Sequence, residues 1–384
     1  MPRKVSQSSR RRICFVTGTR AEFGLMESAL RAIRGNRRLH LQIIVTGMHL
    51  DRRHGRTMSR IAAEGWHIDA IVPWRGENRA VATGEAIAGL AREFARLKPD
   101  VVLVVGDRVE ALAAATAAHL CDIAVAHVHG GDRAMGQIDD ALRHAISKLA
   151  HVHFPATEQS AERLRKLGEE RWRIHRVGSA GLDGIHHLAA PPLLIRKQFP
   201  GIKPRRFVLM VLHPIEADEA AEFERAMTML KAISRMELER IVIIHPNNDP
   251  GSAGIARCWE MVSGSRRFIV RRDVPRAIFL GLLRDAAMLV GNSSSGIIEA
   301  ASFRTPVIDI GPRQLGRERC EDVRNVPYRQ SSIAGAAEQI FNGGRPQRGK
   351  CANPYGGKDA GRRIAAILER VTIDRRLLRK MISY

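Results

Sequence analysis

The chain has 384 residues, 45% apolar and 27% charged, which is too long for one compact core and favours two globular domains. A net charge of +22 raises the prospect of a polynucleotide binder, but the charge is spread along the whole length and aromatics are only 5%. No basic–aromatic RNA-binding motif occurs and no apolar run approaches the ~20 residues of a membrane helix, so a basic enzyme with an anionic ligand is the expectation, with neither nucleic acid nor membrane as partner.

Residues 1–12 are basic, and the apolar run 13–16 is too short for a signal peptide and lacks a small-residue cleavage site. The expectation is a frayed tail in a cytoplasmic protein. Five scattered cysteines (Cys14, Cys121, Cys258, Cys320, Cys351) without CxxC spacing point to neither a zinc site nor a disulfide framework and suit a reduced compartment. Strands are predicted at 13–17, 41–46, 70–73, 101–105, 124–129, 151–155 and 174–177. Helical spacing of apolar residues separates them, as in 83–97 and 137–150. This alternation predicts a parallel, doubly wound sheet in a domain spanning 1–187. Pro191, Pro192, Pro200 and Pro204 punctuate a linker, 188–205. Strands resume at 207–212, 241–245, 268–270, 288–290 and 307–310, and a helix at 359–371 closes a second domain, 206–384, before a basic tail. The predicted fold class is therefore α/β, with two Rossmann-like doubly wound domains whose strand carboxyl ends face a central cleft.

The unusual residues fall at those strand ends. Thr17-Gly18-Thr19-Arg20 follows the first strand, where a glycine turn and an arginine at a helix start suit an anion. Val105-Gly106-Asp107-Arg108 sends a buried strand into an acid–base pair, with Asp107 as an acid/base or hydroxyl acceptor and Arg108 as a phosphate partner. In His127-Val128-His129-Gly130-Gly131-Asp132, strand alternation places both histidines on one side, and Asp139 stands near the start of the next helix. No set of His and Asp residues has convincing metal spacing. His213-Pro214 leaves an apolar strand and is a candidate proton carrier. Asn247, in a polar turn after His245, suits a base or ribose. The most specific block is Gly291-Asn292-Ser293-Ser294-Ser295-Gly296, a strand-to-helix loop whose N–H groups and hydroxyls form an anion nest, with Glu299 a turn later to accept from ribose hydroxyls. Arg313 and Arg317 add cations downstream.

From about residue 13 to residue 328, these blocks in this order resemble the hydrolysing UDP-N-acetylglucosamine 2-epimerase family, which has the GT-B fold. Non-hydrolysing relatives typically carry proline where this chain has Ala21, and Gly-Asp-Thr where it has Gly106-Asp107-Arg108. The resemblance implies removal of the C2 proton, loss of UDP to give a 2-acetamidoglucal, and rehydration to free N-acetylmannosamine. It implies catalytic roles for Asp107, Asp139 and His213, and contacts to the UDP-sugar from Arg20, Arg108, Ser293, Ser294, Ser295, Glu299 and Arg313, with His49 and Asp183 on the sugar side. Many members have a catalytic Glu where this chain has His129, which leaves the division of acid and base roles open. The same chemistry on UDP-2,4-diacetamido-2,4,6-trideoxyglucose is an alternative, as are a GT-B glycosyltransferase and a basic nucleotide- or RNA-binding module. No cofactor is implied, because no hydride moves, and a homo-oligomer is compatible with the sequence.

Overall fold

The structure, a computed structural model, describes residues 10–50, 57–75, 78–133, 138–246, 249–341 and 351–384, with Ile138 and Asp139 described by backbone only. Two compact units emerge. The first is built from the described parts of Met1–Arg133 and Gln137–Asp183 together with Gly357–Tyr384, the second from those of Gly184–Gly356.

Strand β1 (Arg11–Thr17) lies inside the first sheet, and its two faces enter different cores. Ile13 and Phe15 pack with Phe23, Met26, Leu30 and Ile33 of the helix Arg20–Gly35. Cys14 and Val16 pack with Ala86, Leu90 and Phe94 of the helix Arg79–Leu97. Burial on both faces is why this strand reads as an unbroken apolar run. The other strands are β2 (Leu39–Val45), β3 (Ala70–Ile71), β4 (Val101–Val105), β5 (Ala124–Val128) and β6 (Val152–Phe154). They pair in parallel in the order β3-β2-β1-β4-β5-β6, so the winding reverses between β1 and β4. The second unit repeats this order with β7 (Phe207–Val211), β8 (Arg240–Ile244), β9 (Phe268–Arg271), β10 (Met288–Gly291), β11 (Val307–Ile310) and β12 (Val323–Val326). Its order β12-β11-β10-β7-β8-β9 reverses between β7 and β10. In open parallel sheets, ligands bind beyond the strand ends at such reversals.

Several expectations are corrected. Residues 174–177 form no strand; Ile174 makes one parallel bridge to His153 beyond the sheet edge. Strand β12 went unpredicted because Arg324 and Asn325 interrupt its apolar pattern. The 188–205 segment is not an irregular linker: Pro192 opens a helix, Pro192–Gln198, at a position where its missing N–H costs nothing. Cys320 and Cys351, 31 residues apart, form a disulfide that their sequence spacing did not reveal.

The largest correction concerns the helix Ala360–Arg370, expected at the end of the second domain. Its Ile364 and Leu368 join the core of the first unit. Asp183 anchors its start, accepting from the Ala360 N–H at 2.9 Å, the Gly361 N–H at 2.7 Å and the Ser28 hydroxyl at 2.6 Å. Gly361 is required there, because a Cβ would stand 2.4 Å from Ser28 Oγ. Ile364→Ala should therefore destabilise the first unit by about 2–5 kcal/mol. Amide exchange should accelerate in Arg20–Gly35, with β7 and β10 unaffected.

Candidate active site

In the first unit the turn after β4 is fixed from two sides. Gly106 takes a left-handed φ of 77°, which brings Asp107 out of the strand. Arg143, on the helix Ile138–Leu149, is buried and pairs through its guanidinium with the half-buried Asp107 carboxylate. The same guanidinium donates to the His129 carbonyl at 3.1 Å, so one buried cation ties the ends of β4 and β5 together. His127 Nε2 lies 2.8 Å from the Gly106 carbonyl, and its Nδ1 3.1 Å from Ser147 Oγ. A carbonyl only accepts, so Nε2 carries the proton and Nδ1 accepts from the serine. Burial holds the His127 pKa down to about 3, which keeps the ring neutral.

His129 does not share that environment. Its backbone turns left-handed, with φ of 62°, so strand alternation ends at Val128. The buried ring lies 2.9 Å from Asp132 Oδ2 through Nδ1 and 3.2 Å from Ser179 Oγ through Nε2. Asp132 also accepts from the Ser160 hydroxyl at 2.7 Å. The ring is thus held in a Ser–His–Asp chain inside the protein. Asp139 lies in the first turn of Ile138–Leu149, and its side chain is outside the described residues.

The loop after β1 differs from an open anion nest. Thr19 and Glu22 form a capping box, and the Glu22 carboxylate accepts from the Gly18 and Thr19 N–H groups, both at 3.0 Å. Arg20, half-buried, is the first residue of that helix. Beneath the loop, Glu110 is buried and takes both Nε and an Nη of Arg108 at 3.1 Å. Arg108, expected to meet phosphate, therefore has a carboxylate partner within the protein. Gly18 is needed here, since a Cβ would lie 2.7 Å from Glu110 Cγ. Burial first, and Glu110 second, push the Glu22 carboxyl up to about 7.

Two further residues expected on the sugar side have hydrogen-bond partners within the protein. His49 is fully buried between Thr17 Oγ1 at 3.0 Å and Thr57 Oγ1 at 2.7 Å, and burial lowers its pKa to about 4. Asp183 caps the helix Ala360–Arg370. Both side chains are engaged by partners within the protein.

In the second unit Asn292, fully buried after β10, organises the strand ends. Its side chain accepts from the His213 N–H at 2.7 Å, and donates to the His213 carbonyl at 2.8 Å and Tyr328 Oη at 3.2 Å. Its own carbonyl accepts from Arg313 at 3.2 Å and Gln314 at 2.9 Å. Gly291 permits this approach, because a Cβ would lie 1.9 Å from the Val211 carbonyl oxygen. His213, Arg313 and the serine loop are consequently held together at the β7–β10 reversal. Ser293 caps the helix Ser294–Ile298, accepting from the Ser295 N–H at 3.3 Å, and Ser294 and Ser295 are half-buried. Glu299, nearly buried, pairs with Arg276 at 2.7 Å. Asn247 is outside the described residues.

Arg143, Asp132 and Asn292 are the residues that sequence reasoning left without roles. Arg143 carried a signal: it lies on the buried stripe of an amphipathic helix, where an arginine needs an anionic partner. Among the described residues, no three His, Cys, Asp or Glu side chains cluster as a metal site, and no helix is long and apolar enough to cross a membrane.

The Glu22 shift has a defined sign. A carboxyl whose folded pKa lies above its ordinary 4.5 stabilises the fold below that value, and the contribution is lost as pH rises through about 7. Urea-unfolding midpoints for the wild type and Glu22→Gln, compared from acid to neutral pH, should converge on a flatter profile in the variant.

The family model described as UDP-N-acetylglucosamine 2-epimerase matches residues 31–369. A UDP-N,N'-diacetylbacillosamine 2-epimerase (hydrolyzing) of Legionella pneumophila is 35% identical, covering 97% of this chain and 100% of that protein. A UDP-N-acetylglucosamine 2-epimerase of Neisseria meningitidis is 34% identical over 87% of this chain and 89% of its own length. In structure, the Neisseria meningitidis UDP-GlcNAc 2-epimerase bound to UDP-GlcNAc superposes with a TM-score of 0.80 at 20% identity, covering 93% of this chain and 99% of that one. Two parallel sheets with the same reversal, the strand-end residues gathered there and a family match across most of the length agree: the chain belongs to the UDP-N-acetylglucosamine 2-epimerase family.

Proposed function

We propose that the chain is a hydrolysing 2-epimerase that converts a UDP-2-acetamido sugar and water to UDP and the free C2-epimeric sugar. The observation that carries this reading is the Asp107–Arg143 pair at the end of β4, a carboxylate aimed by a buried cation at the winding reversal of the first sheet. The full-length similarity to an enzyme named as hydrolysing supports the choice between the family's two outcomes.

In this scheme Asp107 removes the C2 proton, and Arg143 fixes the direction of its carboxylate. The electron pair left at C2 forms the C1–C2 double bond as the C1–O bond breaks, and UDP leaves with that bond's electrons. The N–H groups of the serine loop and Arg313 stabilise the departing diphosphate. Glu299, set by Arg276, accepts from the ribose hydroxyls. Water then adds its oxygen to C1 and gives up one proton to solvent, a proton returns to the opposite face of C2, and Asp107 releases the proton it abstracted to solvent. His213 and Asp139 are the candidates for delivering that proton. His129 is a scaffold residue here, because both ring nitrogens are already engaged by Asp132 and Ser179. Arg20 contributes positive charge near the first loop.

The sugar is UDP-N-acetylglucosamine or its 2,4-diacetamido-trideoxy counterpart; the 35% identity to the diacetylbacillosamine enzyme over its whole length favours testing the second beside the first. Incubation with each sugar nucleotide in D₂O, followed by NMR, should give free 2-epimer carrying deuterium at C2, together with UDP. A product that keeps UDP attached would identify the non-hydrolysing reaction instead. Asp107→Asn should lower kcat by roughly 10²–10⁴-fold with UDP affinity retained, and unchanged turnover would remove Asp107 from the mechanism.

A further inference from the structure

The basic tail after the helix Ala360–Arg370, which includes a short helix Arg375–Leu378, is anchored to the first unit at several points. Leu377 is fully buried, and its carbonyl accepts from the buried Arg173 guanidinium at 2.8 Å, as does the Arg376 carbonyl at 2.8 Å. The Ser383 N–H donates to the Gly168 carbonyl at 3.0 Å. Between these anchors, Lys380 Nζ reaches into the protein, 2.6 Å from Glu169 Oε2. Glu169 is itself buried, with Lys148 Nζ at 2.9 Å and His153 Nε2 at 3.0 Å.

Lys380 also donates to the Ala150 carbonyl at 2.7 Å and the Ser147 carbonyl at 3.3 Å. Those carbonyls sit at the carboxyl end of the helix Ile138–Leu149, where carbonyls lack intrahelical partners and a cation is favoured. The same helix presents Arg143 and Ser147 on one face, four residues apart and both buried. Both act on one turn. Arg143 holds the Asp107 carboxylate, and Ser147 donates to His127, which donates to the Gly106 carbonyl. The position of this helix along its axis therefore sets the direction of Asp107 through two contacts at once.

We propose that the C-terminal segment is a positioning clamp, in which Lys380 seats the carboxyl end of Ile138–Leu149 and so holds the Arg143 and Ser147–His127–Gly106 contacts that aim Asp107. The inference rests on the reading of Asp107 as the base. Lys380 touches no reacting atom, and its effect is on turnover, not on UDP binding.

The test compares Lys380→Met, Lys380→Arg and Ser147→Ala in the full chain, on whichever sugar nucleotide the wild type turns over. Lys380→Met should lower kcat about tenfold with KM and UDP affinity unchanged, since misplacing a reacting group by about 1 Å can cost about 10²-fold and the loss of one remote contact displaces Asp107 by less. Amide exchange should accelerate in 138–150 and 106–109, and Lys380→Arg should recover most of the loss. Ser147→Ala, which leaves the tail intact, should lower kcat in the same way and keeps the test decisive if Lys380→Met folds poorly. Wild-type kcat in Ser147→Ala, or in a folded Lys380→Met whose helix exchanges faster, would overturn the clamp. Asp107→Asn separates the two failures: its retained turnover would defeat the base reading, whereas its loss beside normal Lys380→Met and Ser147→Ala would defeat the clamp alone.

Discussion

Arg143 is a permanently charged side chain buried in the first unit, and much of the site follows from that constraint. An unpaired guanidinium in such a place would cost several kcal/mol, so the fold must bring acceptors to it. It finds them in the Asp107 carboxylate and the His129 carbonyl, which belong to the turns after two adjacent strands. Both turns depart from ordinary strand geometry to reach it, with left-handed backbone at Gly106 and at His129. A non-glycine residue in that region is uncommon, and His129 tolerates it while Asp132 and Ser179 hold its ring. The catalytic geometry proposed for Asp107 is thus a consequence of satisfying a buried charge.

The second unit solves a related problem with a neutral hub. Asn292 has both a donor and an acceptor on its side chain, and it uses them to close on the backbone of His213 while its carbonyl takes Arg313 and Gln314. Full burial makes each of these bonds costly to lose. The loop is therefore held in place by its own hydrogen bonds, which under the proposed function limits the reorganisation needed when charge develops on the leaving diphosphate.

Much of the architecture was legible in the chain. Strands such as β4 and β7 announce themselves as five-residue apolar runs, and the blocks at 106–108 and 291–296 mark the strand ends because glycine and polar residues follow buried strands abruptly. The roles of individual residues were less legible. Asp183 and Glu299 look alike in sequence as acids beside apolar segments; one caps a helix from far along the chain, and the other pairs with Arg276. His49 reads as lining the sugar side and His129 as standing at a catalytic position until their hydroxyl and carboxylate partners are known. Arg108 reads as a phosphate ligand until Glu110, two residues on, is seen to pair with its Nε and one Nη.

Local information therefore determined the elements, their parallel winding and the order of the motifs, because periodicity and turn chemistry depend on neighbours in the chain. The return of the helix Ala360–Arg370 to the first unit, the Cys320–Cys351 pairing and the tail contacts of Lys380 depend on residues far apart in sequence. So does the choice between ligand contact and internal partner for each charged group. A side chain's hydrogen bonds and desolvation are set by whatever the folded chain places within a few ångströms of it, and only the tertiary structure decided that.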